Sequence, residues 1–184
     1  MITSQVNISK AIQIGGWMSE KELTWLAYEA QRCNTITEFG SYHGRSTRVL
    51  ADNSPNDCRI WAVDPWNGNY KTEDGLTVAD MNTYCLPQFK INLRDHIDSG
   101  KVIPVRNFSY NFNPEVVMDM IFIDGDHRYE TVVRDIEKAL DIVSMHGVIC
   151  GHDYNHPIWP GVKQAVDEMF EHVKFEDTIW IVRF

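Results

Sequence analysis

Two short polar segments combine residue types that can carry acid–base or metal chemistry. They are D-G-D-H at residues 124–127 and G-H-D-Y at residues 151–154. Each follows directly on an apolar run, at residues 121–123 and 148–150. Carboxylate oxygens can hold a hard divalent cation, and an imidazole can accept a proton or bind a transition metal. We therefore take both segments as parts of a candidate site.

The elements that position these segments follow from hydrophobic patterning. The apolar runs lack the alternation of a half-exposed strand, which is typical of buried parallel strands, and helical spacing separates most of them. We predict an α/β fold, a doubly wound Rossmann-like sandwich whose mostly parallel sheet has an antiparallel C-terminal strand and helices on both faces. The predicted strands are 35–39, 60–63, 102–105, 120–123, 148–150 and 179–183, and the predicted helices are 23–33, 46–51, 80–98 with a break near Pro87, 129–143 and 161–172.

The length of 184 residues fits one domain, and we predict a single domain over residues 1–184. Its N-terminal segment, 1–34, is expected to be helical, because Ser19 and Glu22 match a helix capping box ahead of an amphipathic run. Residues 66–79 are polar, aromatic and rich in turn formers, and the stretch is too long for a tight connection. We predict a variable substrate loop there.

Charge and composition exclude several classes of protein. The net charge of −9 repels polyanions, so we expect a small neutral or cationic molecule as partner, and neither nucleic acid nor a membrane. No apolar run approaches the ~18 residues of a membrane helix, and the sequence starts without a secretory signal pattern, so a cytoplasmic location is expected. The scattered cysteines predict reduced thiols. The sequence does not decide whether the protein forms a homo-oligomer.

A third group of candidates lies in the turn E-F-G-S-Y-H-G-R-S, residues 38–46. Glycines let a backbone approach a ligand, and the following helix offers free N–H groups. Asp64 ends the second predicted strand, where an acidic residue accepts hydrogen bonds from ribose hydroxyls in nucleotide-binding βαβ units. The turn alone could be a tight strand-to-helix connection, but together with Asp64 it indicates a cofactor that carries a nucleoside.

These motifs resemble the class I S-adenosylmethionine (SAM)-dependent methyltransferases, especially a small branch with motifs like ITEFGSYHGRST, FIDGDHRYE and GVICGHDY. The similarity runs from about Trp17 to the C-terminus. It implies that the glycine turn surrounds the methionine part of SAM, that Asp64 holds the ribose, and that Trp66 and residues 107–109 border the adenine. The implied cofactor-binding residues are Glu38, Gly40, Ser41, Tyr42, Gly44, Ser46, Asp64, Trp66, Phe108, Ser109, Asp124 and Gly125.

The resemblance also implies methyl transfer to an oxygen of a small molecule, such as a sugar or another polyol. Some sugar and catechol O-methyltransferases of this class bind a divalent metal with acids at these two strand ends. Asp124, His152 and Asp153 are therefore candidate ligands of Mg²⁺ or Mn²⁺. Deprotonation of the acceptor would fall to His127 or to a metal at Asp124 and Asp153, although His127 could equally cap the next helix.

Two other functions fit the same residues. One is a metal-dependent oxidoreductase or hydrolase on this scaffold, since the acids and histidines could hold a redox metal. The other is a non-catalytic module that binds SAM or a nucleoside and serves a partner protein. Aromatic side chains that could wall an acceptor pocket are Trp17, Trp66, Tyr70 and Trp159.

Overall fold

A computed structural model describes residues 5–66 and 85–184. Within these residues no helix is both long enough and apolar enough to cross a membrane. The strands are β1 (Thr35–Phe39), β2 (Arg59–Val63), β3 (Val102–Val105), β4 (Met118–Ile123), β5 (Val143–Gly151), β6 (Lys174–Glu176) and β7 (Ile179–Arg183). The helices are α1 (Glu20–Ala30), α2 (Arg45–Asn53), α3 (Cys85–Asn92), α4 (Arg94–Asp98), α5 (Tyr129–Ile142) and α6 (Pro160–Met169).

The described strands form one sheet in the order β3-β2-β1-β4-β5-β7-β6. Strands β1 to β5 pair in parallel, and β7 pairs antiparallel with both β5 and β6. This confirms the predicted Rossmann-like α/β sandwich with an antiparallel C-terminal strand. Strand β6 was not predicted, because three largely exposed residues, K-F-E, carry too short a pattern to be recognised.

The sheet is buried on both faces, which explains why its central strands do not alternate. In β4, Met120 and Phe122 pack into the cluster that includes residues of α1, α2 and α3. Ile121 and Ile123 pack on the opposite face, into the cluster that includes residues of α5 and α6. The apolar run that precedes D-G-D-H therefore belongs to a central strand, β4.

The helix predicted over 80–98 is interrupted at a different place. Its described part consists of α3 and α4, and the break lies at Leu93 rather than near Pro87. Leu93 leaves the helical region with φ −109° and ψ 11°, and its side chain is fully buried. Arg48 donates to the Asn92 carbonyl at 3.2 Å, which satisfies a main-chain acceptor beside the break. Residues 67–79 of the predicted substrate loop, with Tyr70, lie outside the described residues.

The parallel register brings the candidate segments to one edge of the sheet. Phe39 pairs with Val63 on one side and with Ile123 on the other, and Ile123 pairs with Gly151. The chain order reverses between β1 and β4, which is where ligands bind in sheets of this kind. The residues that immediately follow these four strand ends are Gly40, Asp64, Asp124 and His152.

Close packing of the glycine turn on β4 can be tested with two alanine substitutions. Gly40 has φ +88°, and a Cβ added there would lie 2.2 Å from the carbonyl oxygen of Asp124. Gly100 has φ +77°, but a Cβ added there would meet no described atom within 4 Å. Both variants should lose about 1–2 kcal/mol to the left-handed backbone, and Gly40→Ala a further 1–3 kcal/mol, roughly, to overpacking. Urea unfolding measures the difference, and equal losses would contradict the packing described here.

Candidate active site

The turn after β1 is aligned by Asp64. Its Oδ2 accepts the main-chain N–H groups of Ser41 and Tyr42, both at 2.9 Å, and its Oδ1 accepts that of Trp66 at 2.6 Å. Burial raises the pKa of Asp64, and these N–H donors oppose the rise. The carboxylate that is expected to bind the ribose therefore also fixes the backbone of the glycine turn. A ribose hydroxyl that binds to Asp64 would donate to oxygens that already accept main-chain N–H groups.

Trp66 supports the turn, whereas Trp17 lies open beside it. Trp66 is only 4% exposed, packs 5.0 Å from the Phe89 ring, and donates from Nε1 to the Tyr42 carbonyl at 2.9 Å. Trp17 is 69% exposed, and its ring centroid lies 5.3 Å from that of Tyr42. Tyr42 in turn stacks on His43 at 3.8 Å. The accessible aromatic surface at this turn therefore comes from Trp17, Tyr42 and His43.

Glu38 lies fully buried in β1, just before the turn. The Thr47 hydroxyl donates to its Oε2, and its Oε1 has no hydrogen-bond partner in the described part of the chain. Burial raises the pKa of Glu38 to about 7, although the hydroxyls of Ser41, Ser46 and Thr47 oppose the rise. Gly44 ends the turn with φ +87° as the N-cap of α2. The predicted contact of Glu38 with the methionine part of SAM stays a prediction.

Ser109, one of the residues expected at the adenine side, contacts a buried acid, Asp135 of α5. Ser109 donates its hydroxyl to Asp135, which is 2% exposed. Burial raises the pKa of Asp135 to about 7, against the lowering effect of Ser109. Gly125 lies beside the same carboxylate, because a Cβ added there would be 3.5 Å from Oδ2 of Asp135. Phe108, which precedes Ser109, is 43% exposed. Sequence reasoning missed Asp135, although an acid next to Ile136 on the apolar face of α5 was an available signal.

Four titratable side chains, Asp124, His127, His152 and Asp153, form a charged cluster at this edge of the sheet. His152 Nδ1 lies 3.5 Å from Asp124 Oδ1 and 3.3 Å from Asp153 Oδ2. His127 Nε2 lies 2.7 Å from Asp153 Oδ2 and 3.8 Å from Asp124 Oδ1. The structure thus brings together the side chains that the sequence suggested for catalysis and for metal binding. Asp153 has φ +63°, a left-handed backbone that was not predicted.

The charges in this cluster stabilise one another. Burial lowers the pKa of His127, but the adjacent carboxylates of Asp124 and Asp153 outweigh burial and raise it to about 9. Burial likewise lowers the pKa of His152, and the surrounding carboxylates outweigh it and raise the pKa to about 12. Burial raises the pKa values of Asp124 and Asp153, and the two imidazoles more than reverse that effect. Both carboxylates are therefore ionised at neutral pH.

Asp124, His152 and Asp153 fit the donor set of a divalent cation. One ligand atom from each lies within 4.8 Å of the others. Neighbouring ligands of an octahedral ion with bonds of about 2.1 Å lie about 3 Å apart, close to the spacing of His152 Nδ1 from the two carboxylates. Two carboxylate oxygens suit Mg²⁺, and the imidazole makes Mn²⁺ or another transition metal equally acceptable.

Two further side chains hold the histidines of this cluster. Glu22 of α1 places Oε1 3.2 Å from His152 Nε2, and Trp159 stacks on His127 with ring centroids 4.6 Å apart. Sequence reasoning assigned Glu22 only to the capping box, which the structure confirms through its contacts with Ser19. The capping box was a sufficient explanation for a glutamate at position 22, so the contact with His152 was not predicted.

A separate groove of about 790 Å³ runs along β2 and β3, from the starts of the strands to Val105 and Asn107 at the carboxyl end of β3. Thr35 and Arg59, at the starts of β1 and β2, line it together with Trp61. Among the described residues that line this groove there is no member of the charged cluster. The candidate active site is therefore defined by the side chains that converge at the carboxyl ends of the strands, and not by this groove.

The sheet order, the glycine turn held by an acidic strand end, and the polar ends of β4 and β5 define the class I SAM-dependent methyltransferases. Residues 37–154 match the family model described as "Methyltransferase domain". This chain therefore belongs to that family, and the matched segment contains the three motifs identified in the sequence, except for Ile36 at the start of the first.

Several known proteins are similar to this chain in sequence or in fold. The uncharacterized protein R132 of Acanthamoeba polyphaga mimivirus is 24% identical over 148 residues, which are 76% of this chain, and the chain spans 61% of that relative's length. An O-methyltransferase from Bacillus cereus, solved with S-adenosylhomocysteine (SAH), is 16% identical with a TM-score of 0.65, covering 100% of this chain and 93% of its own. The O-methyltransferase TomG from Streptomyces achromogenes, involved in tomaymycin synthesis and solved with SAM, is 15% identical with a TM-score of 0.64, covering 99% of this chain and 92% of its own.

The buried carboxyl of Glu38 predicts a pH-dependent stability. Its pKa of about 7 in the folded protein lies above the ordinary 4.5, so between these pH values the folded state binds more protons than the unfolded state. The free energy of unfolding should therefore fall as pH rises through this window, by up to about 3 kcal/mol from this group. Glu38→Gln keeps the shape and should remove this part of the slope. Urea unfolding from pH 4.5 to 8 tests this, and identical slopes for both proteins would refute it.

Proposed function

We propose that this protein transfers the methyl group of SAM to a hydroxyl oxygen of a small molecule, at a site where Asp124, His152 and Asp153 hold a divalent cation. Membership of the methyltransferase family supports methyl transfer. The observation that carries the finer proposal is the convergence of Asp124, His152 and Asp153 at the same sheet edge as the glycine turn. Both solved enzymes compared above are named O-methyltransferases, which supports oxygen as the acceptor atom.

The residues of the turn bind and orient SAM, which supplies a methyl carbon activated by a positive sulfur. Asp64 aligns the main chain of Ser41 and Tyr42, and its remaining lone pairs accept from the ribose hydroxyls. The exposed ring of Phe108 offers a face to the adenine. Alignment of this kind is the main requirement of an in-line displacement.

The charged cluster binds and activates the acceptor. A cation bound there would lower the pKa of an acceptor hydroxyl, which supplies the oxygen lone pair that attacks the methyl carbon. Asp124, Asp153 and Nδ1 of His152 would hold the cation. A cation there would take over the positive charge that the carboxylates draw from His127, so His127 would lose its proton to solvent. The neutral imidazole, 2.7 Å from Asp153 and stacked on Trp159, could then take up the acceptor proton.

The surroundings of the cluster favour a neutral, hydroxylated acceptor such as a sugar or another polyol. The net charge of −9 and the carboxylates of the site repel an anionic acceptor. Adjacent hydroxyls offer the oxygen ligands that a hard cation prefers. Trp159, beside His127, gives the pocket an apolar wall against which a ring can pack.

Two alanine substitutions separate the two halves of this site. Asp64→Ala should weaken SAM binding by about tenfold to a hundredfold, since it removes charge-assisted hydrogen bonds, and should spare Mn²⁺ binding. Asp153→Ala should abolish Mn²⁺ binding and the response of turnover to metal, and should spare SAM affinity. Calorimetry with SAM and with Mn²⁺ measures both affinities, and conversion of SAM to SAH with a panel of hydroxylated acceptors measures turnover.

Three results would contradict the proposal. Equal loss of SAM binding in both variants would refute the division between cofactor and cation residues. SAM binding without turnover on any hydroxylated acceptor would favour a binding module, and stoichiometric iron in the purified protein would favour a redox enzyme. Because Asp64 also supports the turn, Asp64→Asn and circular dichroism serve as controls for folding.

A further inference from the structure

The carboxylate of Glu22 lies directly behind the proposed cation site. Glu22 is 3% exposed, and its Oε1 lies 3.2 Å from Nε2 of His152. The other nitrogen of that ring, Nδ1, faces Asp124 at 3.5 Å and Asp153 at 3.3 Å. His152 therefore connects Glu22 to the cation ligands through its two ring nitrogens.

A carboxylate beside one ring nitrogen of an imidazole determines whether the other ring nitrogen has a lone pair that can bind a metal. A neutral imidazole carries one N–H and one lone pair, and the hydrogen bond made by one nitrogen fixes which of the two carries the proton. A carboxylate at Nε2 keeps the N–H there. A cation that binds between the carboxylates would then displace the proton of Nδ1, the nitrogen that faces Asp124 and Asp153, and would meet its lone pair. Histidines that bind metals usually donate their second N–H in this way.

Glu22 is itself held rigidly on both oxygens. Its Oε2 accepts the main-chain N–H of Ser19 at 2.7 Å, which is half of the capping box of α1. Its Oε1 accepts the hydroxyl of Thr178 at 2.6 Å and the main-chain N–H of the same residue at 3.3 Å. The carboxylate is thus fixed between the start of α1 and the β6–β7 turn, so its position relative to His152 is defined by the fold.

We propose that Glu22 is a positioning residue of the cation site, which holds His152 as the Nε2–H tautomer and thereby presents Nδ1 as the third ligand. This inference rests on the proposed cation site at Asp124, His152 and Asp153. It gives one carboxylate two roles, capping α1 and orienting a ligand at the end of β5. Removing an outer partner of this kind typically lowers metal affinity by about tenfold to a hundredfold.

Three variants separate positioning from helix capping. Glu22→Ala removes both roles and should weaken Mn²⁺ binding by about tenfold to a hundredfold. Glu22→Gln retains one acceptor oxygen, which can serve either Ser19 or His152, so an intermediate loss is expected. Ser19→Ala is the matched control, because it weakens the cap but leaves Glu22 facing His152, and its Mn²⁺ affinity should equal that of the wild type. SAM affinity should be unchanged in all three variants.

Electron paramagnetic resonance of free Mn²⁺ measures the metal affinity, and calorimetry measures the SAM affinity. Nitrogen-15 NMR of the histidine side chains gives a readout independent of affinity. With Mg²⁺ bound, His152 should carry its proton on Nε2 in the wild type, and Glu22→Ala or Glu22→Gln should populate the other tautomer. The NMR signature keeps the test available should Glu22→Ala fail to fold.

The inference is overturned if Glu22→Ala binds Mn²⁺ as tightly as the wild type, or if Ser19→Ala loses as much affinity as Glu22→Ala. A wild-type protein that turns over SAM but binds no Mn²⁺ would also overturn it, while leaving methyl transfer intact. A wild-type protein that binds Mn²⁺ but neither binds nor turns over SAM would instead refute the proposed function.

Discussion

The structure depends on the convergence of two carboxylates, Asp124 and Asp153, at the ends of neighbouring parallel strands. Two ionised carboxylates that leave bulk water and lie close together at the edge of a sheet repel each other. Both stay ionised only if positive charge lies between them. The imidazoles of His127 and His152 provide that charge in the structure, and they explain the lowered pKa values of both acids. A site already built to concentrate positive charge between two carboxylates is well suited to exchange it for a divalent cation.

The rest of the molecule keeps this convergence in place. Parallel register brings the ends of β1, β2, β4 and β5 to one edge, and the glycine turn packs directly against the main chain after β4. Asp64 orients that turn through main-chain hydrogen bonds, so a single carboxylate preorganises the part of the site that we propose to bind SAM. Glu22 contacts His152 in the part that we propose to bind a cation.

The parts of the fold that carry a local signal could be predicted from the sequence. Unalternating apolar runs indicated buried parallel strands, and the polar residues after them marked the ligand edge. Three-residue β6 and the break at Leu93 carry no such signal, because both are decided by tertiary packing. The contact between Glu22 and His152 joins residues far apart in the chain, and the capping box already explained Glu22 locally. The left-handed backbone of Asp153 likewise has no sequence signature in an aspartate.

The central claim is that the charged cluster holds a divalent cation beside the methyl group that is transferred. NMR of SAM labelled with carbon-13 in its methyl group, bound to the protein and titrated with Mn²⁺, tests it most directly, because a paramagnetic ion broadens only nearby nuclei. We expect strong broadening of the bound methyl signal in the wild type and none in Asp153→Ala. A methyl signal that stays sharp at saturating Mn²⁺, with SAM bound, would contradict the claim.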